Sequence, residues 1–329
     1  VSEKWLVGVV ALVAVLAMAG GAALGVVLIG HSGPPRRAGH PSHPASGPVE
    51  SDFVAIGSVP RTAAPPAART FRVRCGNNEN GHYNPDNMIV TPGIRNGSHH
   101  LHDYVGNTTT SASSTDLSLA TAPTTCADRT DRSAYFWPVL RDRTGTDRLH
   151  PGESAADRNT GRVLRPQVRI TFSGNPRSDV VAIPRFLRVI AGDAKAYTNG
   201  GGNAHAQFTC AGSTDRIATE KYPLCPAGWG VTRILEFPSC WDQQNLDSAN
   251  HRAHVVYPSA AGVCPRGTAA IPKLIYTLTY DVPPGASYAV DSFPSQLRSP
   301  ISDHADYVNV MSSKSTARVV ACLNGVGPC

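Results

Sequence analysis

The sequence predicts a mainly β protein: a single antiparallel β-sandwich of jelly-roll-like type with long loops, carried behind an N-terminal transmembrane helix. Three observations predict this. Short segments such as Gln167-Val168-Arg169-Ile170-Thr171-Phe172 alternate polar and apolar residues with the period of a strand. Turn formers separate such segments, with 30 Gly and 27 Pro in 329 residues, and no long 3.6-residue periodicity appears. The run from Trp5 to Gly30 carries no charge and exceeds the roughly 20 residues a helix needs to cross a bilayer.

The apolar run exports whatever follows it. Ala17-Met18-Ala19 fits a small-x-small cleavage site, but the run continues through Leu24, Val26, Val27, Leu28 and Ile29, which favours an uncleaved anchor. Residues 1–30 are therefore read as the anchor, 31–50 as a Pro/Gly/His-rich linker, and 51–329 as an extracellular domain. The expected location is the cell membrane, single-pass with the C-terminal domain outside, or secretion if the segment is cleaved. Eight cysteines all lie after the run, and an even count beyond an export signal reads as four disulfides in an oxidising compartment. Their pairing stays open: Cys322 and Cys329 either close a small terminal loop or each reach back into the domain.

A net charge of +6 comes from scattered arginines with no dense basic block, which argues against nucleic acid and is compatible with anionic envelope glycans. The domain is expected to be a monomer. No C-x-x-C, G-x-S-x-G or H-E-x-x-H occurs, so the common thiol-redox, serine-hydrolase and zincin patterns are absent.

Taken in order, Phe53-Val54-Ala55-Ile56 begins the domain and Thr70-Phe71-Arg72-Val73 alternates as a strand. Asn77 to Asn87 is a loop dense in amide and carboxylate oxygens. Calcium takes 6–8 such ligands, but the spacing matches no EF-hand, so calcium is the lesser expectation beside a transition metal. Ser98-His99-His100-Leu101-His102-Asp103 follows, where a strand would place His100 and His102 on one face, with Asp103 beside them to hold a ring N–H. Ser133 to Leu140 is a strand with three consecutive aromatics, and Pro184 to Asp193 another.

Ile234 to Asp242 runs from a strand into a Cys240-Trp241-Asp242 turn. Asp247, His251 and His254 come soon after, and one helical turn at Asn250 to His254 would put both histidines on a shared face. Leu274 to Val282 is a further strand, and Asp303-His304-Ala305-Asp306-Tyr307 can lend another ligand.

These clusters compose the candidate site. The acid–base or catalytic set is His100, His102, Asp103, Asp242, Asp247, His251 and His254; a metal would sit on His100, His102, His251 and His254; and Tyr104, Trp137 and Trp241 would stack on a sugar. The function this suggests is binding or cleavage of cell-wall or extracellular polysaccharide, by hydrolysis or elimination. The competing readings are a non-enzymatic metal-binding protein and a structural envelope protein whose histidines only complete hydrogen-bond networks.

Several of these segments resemble one family in the same order. They are Asn84-Pro85-Asp86-Asn87 through Gly93, Ser98 to Asp103, Phe136-Trp137-Pro138, Phe186 to Asp193, and Phe237 to Asp242 with Asn245 to Ser248, His251, His254 and Tyr257-Pro258. Over residues 70–285 the chain is similar to a secreted domain of fungi and actinobacteria, domain of unknown function number nineteen-ninety-six. The resemblance implies export and a role at walls or extracellular polysaccharide. Gln243 stands where many relatives have Gly after the Cys-Trp-Asp turn.

Overall fold

Ten short strands in two five-stranded antiparallel sheets form the frame. The computed structural model describes residues 47–64, 66–145 and 148–329; the expected anchor and residues 31–46 of the tether lie outside the described residues. No helix among the described residues is long and apolar enough to cross a membrane.

In chain order the strands are β1 (Thr70–Val73), β2 (Tyr83–Asn84), β3 (His102–Gly106), β4 (Ala134–Pro138), β5 (Gln167–Ser173), β6 (Arg188–Gly192), β7 (Phe208–Cys210), β8 (Val231–Glu236), β9 (Lys273–Tyr280) and β10 (His304–Val308). The first sheet runs β7-β8-β9-β5-β1 and the second β2-β3-β4-β10-β6. Three smaller sheets flank them. Among the described residues the α-helices are α1 (Asp116–Thr121), capped by Thr115, and α2 (Ser313–Leu323), capped by Ser312.

Strand β9 shows why the alternation works. Leu274, Tyr276, Leu278 and Tyr280 are buried while the residues between them are half-exposed, because one face meets the other sheet and one meets solvent. The main core lies between the sheets, where Tyr276 of β9 meets Tyr135 and Trp137 of β4 edge-on, at 6.1 and 5.5 Å between ring centroids.

Strand β4 is buried along both faces. Tyr135 and Trp137 point into the main core, whereas Ala134 and Phe136 join Tyr104, Ile190, Val308 and Leu119 of α1 in a second core on the outer side of the sheet. This second core accounts for the consecutive aromatics, all fully buried. It also corrects one expectation: Tyr104 and Trp137 are 1% and 0% exposed, so neither ring has a face left for a sugar.

All eight cysteines pair, as Cys75–Cys126, Cys210–Cys225, Cys240–Cys264 and Cys322–Cys329. The last closes the small terminal loop. Four disulfides fit a protein of an oxidising, extracellular compartment.

Candidate metal centre

The outer face of the second sheet carries the site, and strand register builds it. His102 of β3 stands opposite Pro138 of β4. On the other side of β4 the pairing with β10 ends at Asp306 opposite Phe136, because Pro138 has no N–H to extend the ladder, while β10 continues to His304 against Gly192 of β6. His304 and Asp306, two apart on one strand, share the face that His102 and Phe136 occupy. The imidazoles of His102 and His304 therefore lean toward each other over a residue with no long side chain. His100, from the loop before β3, comes in from the side.

The three rings meet through the same atom. Nε2 of His100 lies 3.1 Å from Nε2 of His102 and 3.2 Å from Nε2 of His304. Each outer ring is fixed from behind: Nδ1 of His102 donates to the Asp86 carbonyl and Nδ1 of His304 to the Ser302 carbonyl, both at 3.0 Å. A carbonyl only accepts, so these Nδ1 atoms hold the proton and both Nε2 atoms turn a lone pair to the centre.

All three rings are buried, and burial holds each of them below the usual imidazole range, His304 at about 4, so the cluster is neutral at pH 7. A single His100 proton can satisfy one of two facing lone pairs. A cation answers the remainder: with metal–nitrogen bonds of about 2.0–2.1 Å, separations of this size correspond to N–metal–N angles of about 95–105°. With all three ligand atoms within 4.8 Å of one another, His100, His102 and His304 are the residues that would hold a transition metal. Imidazole ligands of this softness suit zinc, copper, iron or nickel rather than calcium.

Asp306 completes the centre. Its Oδ2 is 4.0 Å from His102 Nε2, and neither carboxylate oxygen makes a well-formed hydrogen bond although the residue is 1% exposed, with the Asn87 side chain close enough to act on it. Burial pushes its pKa up to about 7, opposed by the Asn87 side chain and the charge of Arg252. His100, His304 and Asp306 line a cavity of about 320 Å³, walled by the Phe293 ring and rimmed by Lys195 and Arg252. His102 lies behind them.

The backbone around the centre is held tightly. Asp86 accepts from the Asn96 and Ala112 amides through its two carboxylate oxygens, which fixes the carbonyl that orients His102. Beneath the sheet, the buried Arg233 guanidinium grips Asp303, next to His304, and donates to the Pro138 carbonyl at 2.7 Å. Gly192, at φ +72°, lets β6 approach Asp303 and His304 more closely than a side chain allows.

The other candidate residues lie elsewhere. Asp103 points to the opposite side of β3, where Asn78 donates to it at 2.7 Å, so it does not orient His102. The segment from Asp242 to His254 forms hydrogen-bonded turns rather than a helical turn. Asp242 caps one by accepting from the Gln244 and Asn245 amides, and Asp247 holds Nδ1 of His251 at 3.0 Å. His254 spends both nitrogens, on Ser248 Oγ at 3.0 Å and the Arg188 carbonyl at 2.6 Å. Trp241 donates to the Asn245 carbonyl and packs beside the main core. Of this segment Arg252 reaches the cavity, while His251 and His254 stay outside the imidazole cluster. The place of His251 and His254 is taken by His304, with Asp306 beside it. The signal for these two was the His-x-Asp alternation at a strand start.

Comparison with curated proteins and with solved structures finds no match. The family model described as Domain of unknown function (DUF1996) matches residues 87–310, more than half of the chain, including all three histidines and Asp306. That span reaches beyond the 70–285 of the sequence resemblance at its C-terminal end and takes in β10. The chain belongs to the DUF1996 family.

Proposed function

We propose that this is a metal-dependent hydrolase of extracellular glycans, with the metal held by Nε2 of His100, His102 and His304. The observation that carries the reading is the convergence of three buried imidazoles, two of them fixed from behind, on one point beside a buried carboxylate that makes no well-formed hydrogen bond. Three protein nitrogens leave coordination positions for water and substrate, as a catalytic rather than a structural site requires. A metal held there would supply an activated water and a Lewis acid for a substrate oxygen, and Asp306 is the neighbouring side chain that would accept the proton the water gives up.

The bond this suits is carbonyl-centred, such as an ester or amide substituent on a sugar. Acetal cleavage uses a pair of carboxylates flanking the bond. Here the second acid on the cavity wall, Asp193, is already engaged by the Lys195 amide, Asn199 and Arg252. Phe293 offers an apolar face for a sugar ring, among the polar side chains of Asn87, Thr91 and Ser98. The jelly-roll-like sandwich is the rigid support, and we read the protein as a monomer tethered to the cell membrane by its N-terminal segment, working on wall polysaccharide.

The test is release of acetate from acetylated wall glycans by the full chain, stripped with chelator and then reloaded with zinc, copper, iron or nickel. Turnover that returns with one metal and is lost in His100→Ala supports the reading. Stoichiometric metal without turnover of any acylated glycan would overturn the enzymatic reading and leave a metal-binding protein.

A further inference from the structure

A second concavity, of about 520 Å³, opens at the far end of β10, beside the start of α2. It lies six residues along the chain from His304 to Val310, about 20 Å at a strand's rise of ~3.3 Å per residue. Three arginines line it, Arg129, Arg132 and Arg185, together with the Ser313 hydroxyl, and no carboxylate does; the Thr130 and Ser312 hydroxyls on the same wall are spent on each other, Asp128 and Ser315. None of the three makes an ion pair among the described residues.

Each guanidinium is nevertheless held in place by a neutral group. Arg129 donates to the Thr124 carbonyl at 2.6 Å, Arg132 to the Ala120 carbonyl, and Arg185 lies over the Phe186 ring at 4.8 Å. Fixing a cation through a carbonyl or a ring face spends one edge of the fork and leaves both its charge and its other donors available. Three such cations in one hollow repel one another unless an anion lies among them. The hollow beyond Met311 is of mixed charge, with Arg72 and Arg74 beside Asp128, which Arg318 engages, and the buried Asp131, so the cluster of cations without a carboxylate is confined to the first hollow.

We infer that this hollow is a binding subsite for an acidic glycan, in which guanidinium forks take the carboxylate groups of a sugar chain and Ser313 takes one of its OH groups. The preset geometry lowers the ordering cost of binding, and the spread over several arginines suits a repeating charge rather than one ion. Its site is separate from the imidazole centre and does not depend on the metal reading.

The experiment is calorimetric titration of the full chain with tetragalacturonate, maltotetraose and inorganic phosphate at two salt concentrations. Tetragalacturonate is expected to bind, more weakly at high salt, with maltotetraose silent. Arg129→Ala/Arg185→Ala, both surface positions, should lower that affinity at least tenfold and leave metal content unchanged. Lys221→Ala/Arg266→Ala, which removes the same charge elsewhere, should change it less than twofold. Equal loss in both double variants, equal binding of maltotetraose, phosphate binding as tight as the oligomer, or no binding at low salt would each overturn the proposal.

Discussion

Replacing Gly192 by Ala tests how the centre is built without touching a histidine. Gly192 lies on β6 opposite His304, and a Cβ there would fall 2.2 Å from the Asp303 carbonyl oxygen and 3.0 Å from the His304 Cα. Two costs add. The positive φ costs an L-residue about 1–2 kcal/mol, and forcing backbone apart in a packed sheet costs about 1–3 kcal/mol more. Gly200 supplies the control, since it has φ +76° and nothing within 4 Å of where an alanine methyl would sit, so Gly200→Ala carries the first cost alone.

With a urea slope of about 3 kcal/mol per molar, Gly192→Ala should lower the unfolding midpoint by about 1 M and Gly200→Ala by about half a molar or less. Urea titration of the metal-free full chain, followed by intrinsic fluorescence, reads both. Because the strand that moves carries His304, Gly192→Ala should also weaken zinc binding, whereas Gly200→Ala should not. Equal midpoints for the two variants would refute the close approach of β6 to Asp303 and His304.

Asp306→Asn removes a buried carboxylate whose pKa burial raises to about 7, so at pH 8 the metal-free protein should become more stable by about 1–3 kcal/mol, with less gain at pH 6, while turnover of the metal-loaded protein falls about 10²–10⁴-fold as expected for loss of a proton acceptor; urea titration and acetate release measure the two. His254→Ala should cost about 1–3 kcal/mol, because the Arg188 carbonyl and Ser248 hydroxyl lose a buried partner, and zinc stoichiometry should stay at that of the wild type. Burial holds Asp131, which accepts from the Tyr135 hydroxyl, above its ordinary value of 3.8. The folded protein therefore keeps this proton where the unfolded chain has lost it, and the contribution to stability is full below the ordinary value and declines as pH rises through the raised one. Asp131→Asn lacks that decline, so its stability relative to wild type should rise with pH in urea titrations from pH 4 to 8.

Much of the frame is legible in residue order. The alternation of β5 and β9, the turn residues between strands and the even cysteine count mark an antiparallel, disulfide-linked β protein because each is a local signal. The three aromatics of β4 mislead for a physical reason: a strand between two cores buries both faces, and no local pattern tells a second core from a binding surface. His100 and His102 stand out by proximity alone. Their partners depend on register across β4, a property of strands separated by some two hundred residues, so His251 and His254 look as eligible as His304. Those two histidines carry a different kind of information, fixing a turn onto β6 and delivering Arg252 to the cavity rim. The DUF1996 match spans both groups and does not distinguish them.

The central claim is that three imidazoles from two chain segments some two hundred residues apart form one metal site. Equilibrium dialysis of the full chain against zinc, followed by elemental analysis, tests it through His304→Ala and His251→Ala. One zinc per chain in the wild type and in His251→Ala, with loss in His304→Ala while that metal-free variant still unfolds in one cooperative urea transition, its stability lowered by about 1–3 kcal/mol for the lost bond to the Ser302 carbonyl, is the predicted result. Zinc retained by His304→Ala, or lost equally in His251→Ala, would contradict it.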